Sequence, residues 1–108
     1  MDRKCSRGRT YLVTDGGIHH NQAAAGLFGQ ILPRSHPIRL GDTTRRHEME
    51  TVDIVGCLCT PIDCFGRNQE LPRCQVGDLI GILNSGAYGA SASPERFLGH
   101  SPAVELLV

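Results

Sequence analysis

Tryptophan is missing from this 108-residue sequence, and aromatic side chains of any kind are few: three Phe and two Tyr. Any core the chain buries is therefore mainly aliphatic. Net charge is missing too, because eleven basic and eleven acidic side chains cancel. No strong field draws the chain to nucleic acid or to an anionic membrane surface. No apolar run approaches the roughly 20 residues of a membrane helix. The opening Met1-Asp2-Arg3-Lys4-Cys5 is basic but has no apolar stretch behind it, so it does not read as a secretory signal. Lysine is almost absent as well, Lys4 being the sole one.

What is present points to a single small domain rich in turns. The length suits one domain. Thirteen Gly and six Pro suit a β architecture better than a helical one. There are five cysteines: Cys5, Cys57, Cys59, Cys64 and Cys74. An odd count without a signal peptide predicts reduced thiols and a cytoplasmic location.

Periodicity gives the strands. Residues 11–14 read as a short strand stopped by the turn Asp15-Gly16-Gly17. The Ala-rich residues 21–31 form a helical turn or a loop, since Gly26 and Gly29 disfavour a long helix. Residues 36–40 read as an edge strand because of Pro37. Residues 51–58 alternate, with Val52, Ile54 and Leu58 on one face and Asp53, Val55 and Cys57 on the other. Cys57 and Cys59 share a face if that strand persists. Residues 65–72 read as a polar turn, and the apolar run 79–83 as a central strand buried on both faces. Residues 104–108 are a last candidate strand. The expectation is an all-β fold, a Greek-key barrel or sandwich of about five to seven strands.

Three chemically active side chains stand at strand ends. Cys59 and Asp63 lie four positions apart in Gly56-Cys57-Leu58-Cys59-Thr60-Pro61-Ile62-Asp63. Gly77-Asp78 precedes the apolar run, and Gly86-Ala87-Tyr88 follows it. Thiol, acid and phenol in such places look like the rim of a site. Together with Asp15-Gly16-Gly17, these motifs resemble, in order and spacing, the C-terminal β domain of the pyridoxal-phosphate (PLP) decarboxylases of the ornithine, diaminopimelate and arginine family. The resemblance runs from about Thr10 to the end of the chain. It implies an alanine-racemase-like enzyme whose cofactor and Schiff-base lysine belong to an N-terminal (β/α)8 barrel.

That resemblance carries roles with it. Cys59 falls on the family's active-site cysteine, a proton donor. Asp63 falls on an acid at the substrate end, and Tyr88 on a tyrosine that touches the cofactor phosphate. It also implies a homodimer with sites at the subunit interface, an amino-acid substrate, and PLP in the complete enzyme. Residues 1–108 are then the β domain alone, without the barrel and unable to decarboxylate by itself. Thr60 stands where several relatives have an acid, and Cys57 where Pro is usual. The arginine and tyrosine that grip a distal carboxylate in diaminopimelate decarboxylases correspond to about Ala23 and Leu27. These departures resemble a branch associated with biosynthetic clusters, some members of which act on amino acids tethered to a carrier protein.

Plainer readings stand beside this one. Cys57 and Cys64 read as small packing residues, His19 and His20 as turn or surface polarity, and Arg45-Arg46 as a solvated face. A non-catalytic β domain that binds or inhibits a full-length decarboxylase is one alternative. A small thiol-rich metal-binding module drawing on Cys57, Cys59, Cys64 and Cys74 with His19 and His20 is another, but Cys-x-Cys-x4-Cys-x9-Cys lacks paired Cys-x2-Cys knuckles, so no metal ligands are assigned.

Overall fold

The computed structural model describes residues 2–21, 37–42, 48–83, 93–94 and 96–107. Within them the chain is all-β, with strands β1 (Asp2–Ser6), β2 (Arg9–Val13), β3 (Ile38–Leu40), β4 (Met49–Val55), β5 (Cys64–Pro72) and β6 (Ile80–Ile82). One helical turn, α1 (Ile18–Asn21), and a 3-10 turn at Phe97–Gly99 complete the described elements.

Four strands form one sheet in the order β1-β2-β4-β5, and β3 pairs with β6 in a second. The first hairpin turns on Arg7 and Gly8, both at positive φ (50° and 78°), as a type I′ connection requires. β2 and β4 run parallel, Tyr11 opposite Asp53 and Val13 opposite Val55. β4 and β5 are antiparallel with register shifts around Ile54. The two sheets meet through Leu12, Val52, Ile54, Phe65 and Leu71 on one side and Ile38 and Leu40 on the other. Gly66 permits the close layer contact: a Cβ there would lie 3.0 Å from Ile38 Cδ1 and 2.7 Å from Gln69 Cγ. The core is aliphatic apart from Phe65 and Cys74, in keeping with the scarcity of aromatics.

Two arginine–carboxylate pairs tie the four-stranded sheet across its strands. Arg3 on β1 grips both oxygens of Glu50 on β4. Arg9 donates through Nε and Nη2 to the two oxygens of Asp53 at 3.0 Å, and the Asn68 amide adds a 2.8 Å bond to Asp53 Oδ1. Asp53 is therefore buried but saturated, the condition under which a buried carboxylate is tolerated.

Several expected elements differ. Residues 65–72 are not a polar turn but most of β5, whose only buried apolar side chains are Phe65 and Leu71. The positive φ of Asn68 breaks the alternation that would have announced it. Among the described residues β6 is not a central strand: it pairs with β3, its residues are half-buried, and Leu79 is 79% exposed. Residues 104–107 form no strand and are exposed. β1 arises where the sequence showed only charge, because an edge strand needs no apolar face and charged side chains protect it. The strand expected over 51–58 ends at Val55, so Cys57 and Cys59 are not on one strand face. The helical turn or loop expected over 21–31 lies, beyond Asn21, outside the described residues.

Candidate functional site

The loop between β4 and β5 is folded around one carboxylate. Asp63 accepts a hydrogen bond from the Ile18 amide at Oδ1 and another from the Leu58 amide at Oδ2, each 2.8 Å. Its own carbonyl accepts the Gly56 amide at 2.9 Å, closing the loop at its base. Turns at Leu58–Thr60 and Thr60–Asp63 compress the segment between, and Pro61 suits such a turn. Space for the carboxylate comes from two glycines. A Cβ on Gly56 would lie 2.1 Å from Asp63 Oδ2, and one on Gly17 would lie 2.8 Å from the same atom.

The neighbouring turn after β2 is tied to this loop. Thr14 donates its amide to the Val55 carbonyl at 2.9 Å, and Cys57 donates its amide to the Gly16 carbonyl at 3.3 Å. The Cys57 thiol faces the Asp15 carbonyl at 3.5 Å. Burial, and secondarily the Asp63 charge, push this thiol above the usual cysteine range. Cys57 is thus held as a protonated, half-buried group, a poor nucleophile. Cys59 differs: it is exposed at the outer bend of the loop.

A histidine cluster lies against the same loop. His19 and His20 follow one another on α1, not on an extended segment, with ring centroids 3.8 Å apart. His100 stacks on the other side of His19 at 5.1 Å. His20 Nε2 contacts the Ser101 carbonyl at 2.9 Å. His19 is 1% exposed, and its Nδ1 has no hydrogen-bond partner. Burial, then the neighbouring His20 and His100, lower its pKa and keep the ring neutral. Nothing in the spacing of the sequence pointed to His100. Gly17 and Gly56 stood in recognisable motifs, but the reason for them, close approach of Asp63, needs three dimensions.

The expected site residues are distributed as follows. Cys59 and Asp63 share one loop, with the thiol exposed and the carboxylate buried beneath it. Tyr88, Ala23 and Leu27 lie outside the described residues. The described residues do not make a PLP site: Lys4, the one lysine, is exposed on edge strand β1, with β2 between it and β4.

This sheet domain has known counterparts. Residues 1–86 match the pyridoxal-dependent decarboxylase C-terminal sheet domain. The chain belongs to this ornithine/diaminopimelate/arginine decarboxylase family. It is 44% identical over 108 residues to the L-glutamyl-[BtrI acyl-carrier protein] decarboxylase of Niallia circulans, covering 97% of this chain and 25% of that protein. It is 45% identical to a 2-[(L-alanin-3-ylcarbamoyl)methyl]-2-hydroxybutanedioate decarboxylase of Staphylococcus aureus, covering 93% of this chain and 26% of that one. The crystal structure of diaminopimelate decarboxylase from Methanocaldococcus jannaschii superposes with a TM-score of 0.71 at 30% identity, over 85% of this chain and 20% of that chain. The chain thus spans about a quarter of the length of these curated decarboxylase relatives.

Proposed function

We propose that this decarboxylase-family sheet domain works as part of a complete PLP-dependent amino-acid decarboxylase, in which a (β/α)8 barrel holds the cofactor. Its part is to bring the 56–63 loop to that barrel, in a homodimer whose partner lends or receives the loop. The observation that carries this reading is the contrast between the two groups on the loop: an exposed Cys59 thiol above a buried, fully bonded Asp63. Cys59 acts as a proton donor to the substrate carbon that loses carbon dioxide. Asp63 then becomes a positioning residue. With both oxygens bonded to backbone amides and 3% of its surface exposed, it has no free face for a substrate ammonium. Tyr88 serves the cofactor phosphate by resemblance alone.

The substrate follows from what the loop lacks. Thr60 follows Cys59, and Asp63 is committed to the backbone. Neither position offers a free carboxylate to a distal ammonium, so a small basic amino acid is disfavoured. The two relatives named above are decarboxylases of a glutamyl group on a carrier protein and of an alanine joined through a carbamoylmethyl arm to 2-hydroxybutanedioate. We assign an α-amino acid with a large acylated or amide-linked tail, carrier-bound or free. Cys5, Cys57, Cys59 and Cys64 form no disulfide, which suits a reducing, cytoplasmic setting.

The test is reconstitution of this chain with a barrel domain of the same enzyme and PLP, followed by carbon dioxide release. Activity is expected to need both pieces and to fall by about 10²-fold or more with Cys59→Ala, the scale of a lost general acid. Turnover by this chain and PLP alone would overturn the division of labour. An unaffected Cys59→Ala would overturn the role of the thiol.

A further inference from the structure

The clustered imidazoles have no task in the function just described. His19, Cys57 and His100 come from three separate segments: α1, the loop after β4, and the turn near the chain's end. One donor atom of each lies within 4.8 Å of the others. We propose that these three side chains form a binding site for a borderline-soft divalent cation, Zn2+ or Co2+, with two imidazole nitrogens and one thiolate as ligands.

The donor set selects the metal class. Nitrogen and sulfur favour zinc and its transition-metal neighbours over magnesium or calcium, which take oxygen. Bond lengths of about 2.0–2.1 Å to nitrogen and 2.3 Å to sulfur place tetrahedral donors roughly 3.3–3.8 Å apart. The cluster must therefore contract by about an ångström from its widest separation, with Cys57 and His100 the half-buried members. His19 is the fixed member. It is buried, and its Nδ1 has no hydrogen-bond partner among the described residues, which leaves a lone ring nitrogen for a metal.

Binding exchanges a proton for a metal–sulfur bond: Cys57 S–H ionises, its sulfur lone pair enters the cation, and the proton leaves to buffer. Three protein ligands leave the fourth position to water or an external donor. Mechanically, the ion would staple residues 96–101 to the β4–β5 loop. His20 already holds that segment through the Ser101 carbonyl, and the backbone there turns through three positive-φ residues, Arg96, Leu98 and Gly99.

Of the thiols and imidazoles weighed in the sequence as a metal-binding set, this site uses His19 and Cys57 and adds His100. That makes it separable by mutation. The experiment is Co2+ titration of the reduced 108-residue chain by absorbance, with thermal melting in Zn2+ as a second readout. The expected result is one equivalent of Co2+, a sulfur-to-cobalt charge-transfer band, intense tetrahedral d–d bands and a raised melting temperature in Zn2+. Cys57→Ser should abolish the charge-transfer band, and His100→Ala should weaken binding by about 10-fold or more, as loss of a ligand does. Cys59→Ser and Cys64→Ser should bind as the parent does. Circular dichroism confirms that each variant is folded. A band that survives Cys57→Ser, a band that vanishes with Cys59→Ser, or no band in the parent would each overturn the site.

Discussion

Asp63 accepts backbone amides from two segments that are far apart in sequence, Ile18 at one oxygen and Leu58 at the other. Hydrogen bonds to a charged group contribute about 1.5–3 kcal/mol each, and a buried amide left without a partner costs a similar amount. Asp63→Ala is therefore expected to destabilise the chain by about 3 kcal/mol or more in urea denaturation. Gly56→Ala should come close to it, because the new methyl would overlap the carboxylate. The two changes remove one arrangement, so the double variant should fall well short of the sum. Additive losses would show that Gly56 and Asp63 act independently. The sequence put Cys59 and Asp63 four positions apart at a strand end, and the structure puts both in the loop between β4 and β5. It could not say which of the two is exposed, because burial of Asp63 depends on Gly17 and Ile18, some forty positions upstream, an arrangement set by tertiary packing.

Strands were legible in the chain where their apolar residues alternate. β2 and β4 carry such residues and appear close to where the pattern put them. β1 is held instead by Arg3 to Glu50 on β4, and β5 by Asn68, which binds the Arg9–Asp53 pair that ties β2 to β4. Hydropathy does not register such pairs. Each guanidinium, as the leading cause, holds its carboxylate below the usual range. A carboxylate with a depressed folded pKa adds stability above its unfolded pKa and loses it as pH falls through the folded value. The melting temperature is thus expected to decline below about pH 4. At neutral pH Asp53→Asn should melt lower than the parent, and the gap should narrow as the pH falls. An equal gap at pH 7 and at the acid limit would remove Asp53 from the acid transition.

Across the whole molecule the apolar surface is unevenly covered. Val76, Leu79 and Leu83 are exposed around β6, as are Val104, Leu106 and Leu107 near the end of the chain. Exposed apolar groups of this kind mark interaction surfaces or drive association. The run at 79–83 reads as buried because its composition is that of a core strand. The misreading is informative, since a strand apolar enough for a core but open in a lone domain suits a surface that another domain covers. The isolated chain is expected to self-associate at high concentration, and sedimentation velocity across a concentration series is the check. A single monomeric boundary throughout would argue against a covered face. Among the described residues no helix is long and apolar enough to cross a membrane.

The parallel pairing of β2 with β4 also bears on how the domain assembles. β1–β2 and β4–β5 are antiparallel neighbours in sequence, and each can pair locally. Joining them sets Tyr11 against Asp53, so a long loop must close before the contacts reward it, and non-local pairings of this kind slow folding. The bonds from Thr14 to Val55 and from Cys57 to Gly16 continue the same seam, and the Asp63 carboxylate bridges its two sides. Closing that seam thus also shapes the Cys59 loop, so a chain with only its two hairpins formed holds no arranged thiol.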